Sequence, residues 1–443
     1  MNNKVDQFIE KPKKALFALA LPIVIAMFVQ TMYTIVDMAF VGRLGVDSIA
    51  AVTFAFPLFF VLMSLNSGIS VGANSSISRF LGAKNKNAAE NAALHGLFLS
   101  IVLAGVVFVL GMSTLRPLFL LFGATSNVLD LGMSYIRIIL LGIFFMFPSF
   151  VLNSIFAAQG DTKTPMKVQI SALILNAILD PLFIYVLGYG VRGAAIATSL
   201  AYVFSLILFM YYIRRKSYLR IQLRYFKFAF PLCKEIYRVG APASLTMLLL
   251  SVYFMFINRF MAHFGTNYVA SYGLASRLES FAVMPIVALS IALLTLTGMF
   301  YGAKRYDLLK YISCYGLKIG IIFTLAVGLL FFIFPSLFLQ IFTKERVLLS
   351  IGSPYIRIDV FTFPMMAVSI LINRILQGMG FGFPGLVISL TRVMIVAVPL
   401  AYFFVFVLGY SYLSIAVAMV LGGVASSIVA FAWLRTKLRK LKE

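Results

Sequence analysis

Apolar runs of about 20 residues, the length that carries a helix across the hydrocarbon core of a bilayer, recur along almost the whole chain. By that ruler there are about twelve candidate spans. They fall near 15–41, 48–72, 91–113, 131–150, 166–187 and 193–213, then 235–261, 268–297, 312–334, 355–373, 385–408 and 413–433. Little chain is left for a soluble domain, as a 62% hydrophobic content requires. Lipid offers no partner to backbone N–H and C=O groups, so such runs predict helices. The expected fold class is an all-α integral membrane protein: twelve transmembrane helices in two six-helix lobes, related by pseudo-two-fold symmetry along the membrane normal.

Charge sets the expected orientation. The chain carries 37 Lys and Arg against 14 Asp and Glu, a net +23. In a soluble chain that excess points to nucleic acid. Here it collects between alternate spans: Lys4, Lys11, Lys13 and Lys14 at the start; Arg79, Lys84 and Lys86 after the second span; Lys304, Arg305 and Lys310 after the eighth; Arg435, Lys437 and Arg439 in the tail. The connector RRKSYLRIQLRYFKFAF (214–230) is the most basic stretch. The intervening loops hold few cations, among them Arg43, Arg116 and Arg192. The positive-inside rule then predicts a multi-pass protein of the cytoplasmic (inner) membrane with both termini in the cytoplasm, bound to lipid and not to nucleic acid. Cys233 and Cys314 form neither a disulfide framework nor a metal spacing. The first span is too long for a cleaved signal peptide and is expected to be retained.

The two halves echo each other at an offset of about 220 residues, a period typical of duplicated transporter halves rather than solenoids. Pro22 pairs with Pro242, Met27 with Met247, Gly45 with Gly265, and Ala50 with Ala270. Gly82-Ala83-Lys84 pairs with Gly302-Ala303-Lys304, and Tyr135-Ile136-Arg137 with Tyr355-Ile356-Arg357. Six spans per half is an even number, so both copies enter the membrane from the same side. The expected organisation is an N-terminal lobe at 1–213 with the cation site, a cytoplasmic basic linker at 214–230, and a C-terminal lobe at 231–443.

Two aspartates break the apolar pattern of the first half, and no equivalent pair is expected in the second. A carboxylate at membrane depth costs about 2.5–3.5 kcal/mol on insertion scales, and such residues face a cavity or an ion path. Asp37 precedes Gly45 by eight positions and Asp180 precedes Gly188 by eight, so both stand about 12 Å from the outer ends of their helices. Gln30, Thr34 and Asp37 share one helical face, as do Gln169, Leu173, Asn176 and Asp180. Thr198 enters about 9 Å down the sixth span, and Tyr135 lies near the outer start of the fourth. Asp37, Asn176, Asp180, Thr198 and Tyr135 can therefore converge as hard oxygen ligands for an alkali cation, or as a proton trap. Pro181 cannot donate to the Ala177 carbonyl, which leaves a free backbone oxygen one turn from Asp180. Two like charges in a dry lobe repel, so at least one carries a proton when no cation is present.

Other polar residues call for simpler readings. Arg137 and Arg357 are expected to snorkel. Glu279 and Asp359 are expected to pair locally with Arg277 and Arg357, with a secondary chance of lining a cleft. His95 and His263 read as structural. Walker loops, nucleophile elbows and zinc motifs are absent from the sequence, which argues against an enzyme.

The stretch LPIVIAMFVQTMYTIVDMAFVGRLG (21–45) resembles the first helix of the multidrug and toxic compound extrusion (MATE) transporters. ISRFLGAKNKNAAENA resembles that family's loop after its second helix, AAQGDTKTPM (157–166) its loop after the fourth, and NAILDPLFIYVLGYGVRGAAIATSLA its helix 5–6 hairpin. The likeness covers essentially the whole chain and is most similar to the prokaryotic branch with an acidic cation site in the N-terminal lobe. Carried over by position, the resemblance implies a cation site of Asp37, Asn176, Asp180 and Thr198, which serve as metal ligands if the ion is Na⁺. It implies Tyr135 and Asn153 as supporting network, although Asn153 lies about 27 Å from Tyr135 along a straight helix. Pro22 matches a proposed helix bend, with Pro181 a second break. Met27 and Gln30 match cleft-lining positions, and Gln169 joins them from the facing stripe. The family implies a monomeric antiporter that exports bulky, often cationic drugs or toxic metabolites by alternating access. Its coupling ion is Na⁺ or H⁺, with no other cofactor. The alternative is a lipid-linked oligosaccharide flippase of the same superfamily, which should show a cleft rich in Arg and Lys; none is evident.

Overall fold

The computed structural model describes residues 4–121, 126–222, 224 and 226–441. All regular structure among these residues is helical. After a short helix, Val5–Glu10, come α1 (Pro12–Gly42), α2 (Val46–Gly82), α3 (Lys86–Leu121), α4 (Ser126–Ala158), α5 (Lys163–Pro181, continued by a π-helical turn Leu182–Val186) and α6 (Val191–Lys216). The second half has α7 (Phe230–Phe264), α8 (Thr266–Gly302), α9 (Tyr306–Ile333), a one-turn helix Pro335–Leu339, and α10, built from Arg346–Asp359 and Thr362–Gly378. It ends with α11 (Phe383–Leu390, running on through π-helical turns to Val407) and α12 (Leu413–Arg439).

Eleven of these helices are long and apolar enough to cross a membrane, and twelve when the two pieces of α10 count as one span bent by 51°. The tenth span expected at 355–373 falls across this bend. Pro364 has no N–H for the Val360 carbonyl, and the Thr362 hydroxyl donates to the Asp359 carbonyl at 2.7 Å. Lost ladder bonds and hydroxyl insertion are ordinary causes of a sharp kink.

The duplication is written in the backbone. Left-handed residues occur at Gly45 and Gly265, Lys84 and Lys304, Gly160 and Gly380, and Gly188 and Gly409. Each member of a pair ends or begins the same element. At Lys84 the Asn85 N–H reaches back to the Phe80 carbonyl; at Lys304 the Arg305 N–H reaches Phe300. Asp161 to Phe156 and Phe381 to Leu376 repeat the motif at the glycine pair. These are Schellman caps, which satisfy the last carbonyls of a helix through one left-handed residue.

The chain divides into two compact units, Met1–Asp6 with Leu21–Ala241, and Gln7–Ala20 with Pro242–Glu443. In the first, α4 packs against α2, α3 and α6, and α6 also covers α5. Phe119, Ile136, Ile143, Met146 and Phe147 fill its core. The opening turns of α7 belong here because of two backbone approaches: a Cβ on Gly72 would fall 2.2 Å from the Ile236 carbonyl oxygen, and one on Gly240 would fall 2.4 Å from that of Gly68. Only glycine permits such contact. Arg79 and Glu235 close the same seam at 2.8 Å. In the second unit α10 packs on α8, α9 and α12, and α12 on α11. The Gln7–Ala20 segment joins this unit, where the Lys13 ammonium lies 4.9 Å from the Tyr315 ring centroid.

Candidate functional site

The polar face of α5 brings Asn176 and Asp180 together, one turn apart and both buried. Asn176 Nδ2 donates to Asp180 Oδ1 at 2.9 Å. The Tyr33 hydroxyl of α1 reaches both, donating to Asn176 Oδ1 or to Asp180 Oδ2, the latter at 3.1 Å. Tyr33 and Asp37 stand four apart on one side of α1, so the same contact carries Asp37 to α5. The carboxyl groups of Asp37 and Asp180 face each other at hydrogen-bonding range. Two ionised carboxylates have no proton to share, and Asp37 Oδ1 is buried without a partner. An orphaned acceptor beside a second carboxylate, with amide and phenol oxygens at hand, fits a proton or a hard monovalent cation. Groups of three or more His, Cys, Asp or Glu are absent among the described residues, so the donor set is not that of a transition-metal centre.

Of the remaining sequence-derived positions, Tyr135 packs with Val41, Ile184 and Ala194 and lies within electrostatic range of both aspartates. Thr198 is half-buried on α6 and makes no side-chain hydrogen bond to the pair among the described residues. Asn153 is not brought to the site. α4 is continuous from Ser126 to Ala158, so 18 residues of helical rise hold Asn153 about 27 Å along the axis from Tyr135. Gln169 Nε2 donates to Gln30 Oε1 at 3.1 Å, which links the two stripes one level away; Thr34 instead turns its hydroxyl to the Gln30 carbonyl. Met27 is half-buried, and its carbonyl accepts from Thr31. α1 runs through Pro22 as one helix. Pro181 does not interrupt α5 either: the helix widens into the π turn Leu182–Val186, the usual accommodation of a missing ladder bond.

Tyr33 is the residue that sequence reading missed. Its signal was available, since it precedes Asp37 by one turn and matches Tyr253 at the repeat offset.

The second unit holds acidic groups of its own. Glu279 and Asp359 are buried, but neither pairs with Arg277 or Arg357 among the described residues. Residues two apart on a helix point to different sides. Arg357 instead donates to the Phe332 carbonyl. The cation within range of both acids is the buried Arg392 of α11, which sits over the ring of Tyr253. Tyr355 packs edge-on to Tyr272 and donates to Met419 Sδ.

Comparison with known proteins agrees with this architecture. The MatE family profile matches residues 22–182 and 242–403, one copy per half. A "Probable multidrug resistance protein YoeA" of Bacillus subtilis is 29% identical over 390 residues, covering 86% of this chain and 84% of the relative. The "Multidrug export protein MepA" of Staphylococcus aureus is 26% identical over 372 residues, covering 83% and 82%. A crystal structure described as MATE in the bent conformation superposes with TM-score 0.95 at 31% identity, covering 100% of this chain and 98% of the other. With both halves matched and the whole chain superposed, this protein belongs to the MatE family of transporters.

Proposed function

We propose that the protein is a cation-coupled multidrug antiporter, exporting bulky, often cationic organic compounds in exchange for Na⁺ or H⁺ by alternating access. The observation that carries this reading is the Asp37–Asp180 pair, one carboxyl group half-buried and the other buried, with no cation partner among the described residues and one oxygen without a partner. Asp37, Asp180 and Asn176 supply the ion's ligands, Thr198 a further hydroxyl, and Tyr135 the neighbouring phenol. Tyr33 holds Asn176 and Asp180 in place. Occupancy by an ion removes the repulsion between α1 and α5, and α1 then repacks around Pro22. Met27, Gln30 and Gln169 line the substrate path on the same two helices. One charge moving through 100 mV supplies about 2.3 kcal/mol, and the coupling is useful only if ion and drug prefer different conformations. The protein works as a monomer in the cytoplasmic membrane, with the basic connector and both termini in the cytoplasm.

The test is efflux of a fluorescent cationic dye from proteoliposomes with independently imposed Na⁺ and H⁺ gradients. Wild type should respond to at least one gradient; Asp37→Asn and Asp180→Asn should each lose that response by at least about tenfold while folding normally. Unchanged gradient dependence in both variants would remove the acidic pair from the mechanism.

A further inference from the structure

The segment between α6 and α7 is strapped to the end of α3 and α4 by side chains that spend their hydrogen bonds on its backbone. Gln159 Oε1 accepts from the Ser217 hydroxyl and from the N–H groups of Tyr218 and Leu219. Glu90 Oε1 accepts the Arg220 N–H at 2.7 Å. Asn91 Nδ2 donates to the Lys227 carbonyl at 3.1 Å, and His95 Nε2 accepts the Ala229 N–H at 2.9 Å. Phe226 and Phe228 stack on the His95 ring. Beside these contacts lies a cavity of about 750 Å³.

Three cations line that cavity: Lys86, Arg220 and Lys227. One acid lines it, Glu90, and its carboxylate is occupied by the Arg220 N–H and by Lys86 at 3.7 Å. The guanidinium of Arg220 and the ammonium of Lys227 have no carboxylate partner among the described residues. Lysine and arginine with nothing to neutralise them call for a phosphate.

We propose that this cavity binds the headgroup of an anionic phospholipid, with phosphatidylglycerol as the probe, its phosphate held by Arg220 and Lys227. The lipid is favoured over a soluble phosphate by the residues next to Lys227 in the sequence. Phe228 and Phe230 are 61% and 69% exposed beside Lys227 at the start of α7, a membrane-spanning helix. Exposed aromatics next to cations at a helix end are the mark of a bilayer interface. A lipid bound there would clasp the start of α3, the connector and the start of α7, away from the transport site, so this inference is independent of the ion-coupling mechanism.

The test is native mass spectrometry of the full-length protein released from nanodiscs, counting retained lipids as phosphatidylcholine is replaced by phosphatidylglycerol. Wild type should retain phosphatidylglycerol preferentially. Arg220→Gln with Lys227→Gln should weaken that retention by about tenfold or more, whereas Arg214→Gln with Arg215→Gln, the same charge removed outside the cavity, should change it by less than about twofold. Equal loss in the two double variants means diffuse attraction to an anionic surface and overturns the site. Competition by millimolar glycerol 1-phosphate or inorganic phosphate, with no preference among lipids, reassigns the cavity to a soluble phosphate and overturns the lipid. Wild type that retains phosphatidylcholine as well as phosphatidylglycerol overturns it whatever the variants do.

Discussion

Each half of the molecule brings a pair of acidic residues together, and the two pairs are built differently on the same scaffold. Tyr33 and Tyr135 stand by the first pair; Tyr253 and Tyr355, their repeat equivalents, stand by the second. The acids do not correspond. Asp37 and Asp180 match Ile257 and Leu400 at the repeat offset, and Glu279 and Asp359 match Phe59 and Ile139. The second pair comes with Arg392, which matches Ala172; the first comes with none. The tyrosines recur at the repeat offset, while the charges differ: the second centre has an arginine within electrostatic range, and the first has none among the described residues. On the proposed function, the first centre is the one left open to an ion.

The largest effect should come from removing the compensation. Arg392→Met removes a cation within electrostatic range of Glu279 and Asp359 and should cost about 1–3 kcal/mol, read as a fall in thermal melting temperature in detergent. Adding Glu279→Gln and Asp359→Asn should recover most of it. The first unit should behave in the opposite way. The Asp37→Asn, Asp180→Asn double variant removes a repulsion, so its melting temperature should hold or rise. If Arg392→Met melts like wild type, the arginine does not balance that centre and the contrast fails.

Most of the fold could be read from residue order, because membrane spans, helix caps and a duplicated pattern are local or periodic signals. Asp161 illustrates this: its carboxylate accepts from the Lys163 and Thr164 N–H groups and the Thr164 hydroxyl, a cap visible in the string GDTKT. The first acidic pair was also legible, since Asp37, Asn176 and Asp180 break an apolar face at helical spacing. What escaped depends on tertiary distance. Arg392 lies 113 positions from Glu279 (392 minus 279), and nearer arginines offered themselves. The kink in α10 needed Thr362 and Pro364 to act together. The membership of residues 231–241 turns on glycine contacts, and that of residues 7–20 on contacts such as Lys13 over the Tyr315 ring; neither has any periodicity.

The next effect is on ion dependence. Glu279→Gln should leave the half-saturating ion concentration for efflux within about twofold, since Arg392 and the Asp37–Asp180 pair remain. Asp180→Asn should abolish saturation in the accessible range, with a loss of at least about tenfold from a single charge-bearing ligand. Equal shifts in the two variants would make the second centre a coupling site as well and dissolve the distinction between them.

The smallest effect tests the shared tyrosines. Tyr33 works through its hydroxyl, which bridges Asn176 and Asp180. Tyr33→Phe should therefore loosen the ion ligands and cost about 1–2 kcal/mol of ion affinity, roughly tenfold in half-saturation. Tyr253 meets Arg392 through its ring, 5.8 Å from centroid to guanidinium carbon, and phenylalanine keeps a face for that cation. Tyr253→Phe should change neither ion affinity nor melting temperature by more than about 0.5 kcal/mol. The same substitution at two repeat-equivalent positions then separates a hydroxyl that orders an open site from a ring that shields a closed one. Matching phenotypes in efflux titrations would mean that both tyrosines serve packing alone, and the ion site would have to hold Asn176 and Asp180 in place without Tyr33.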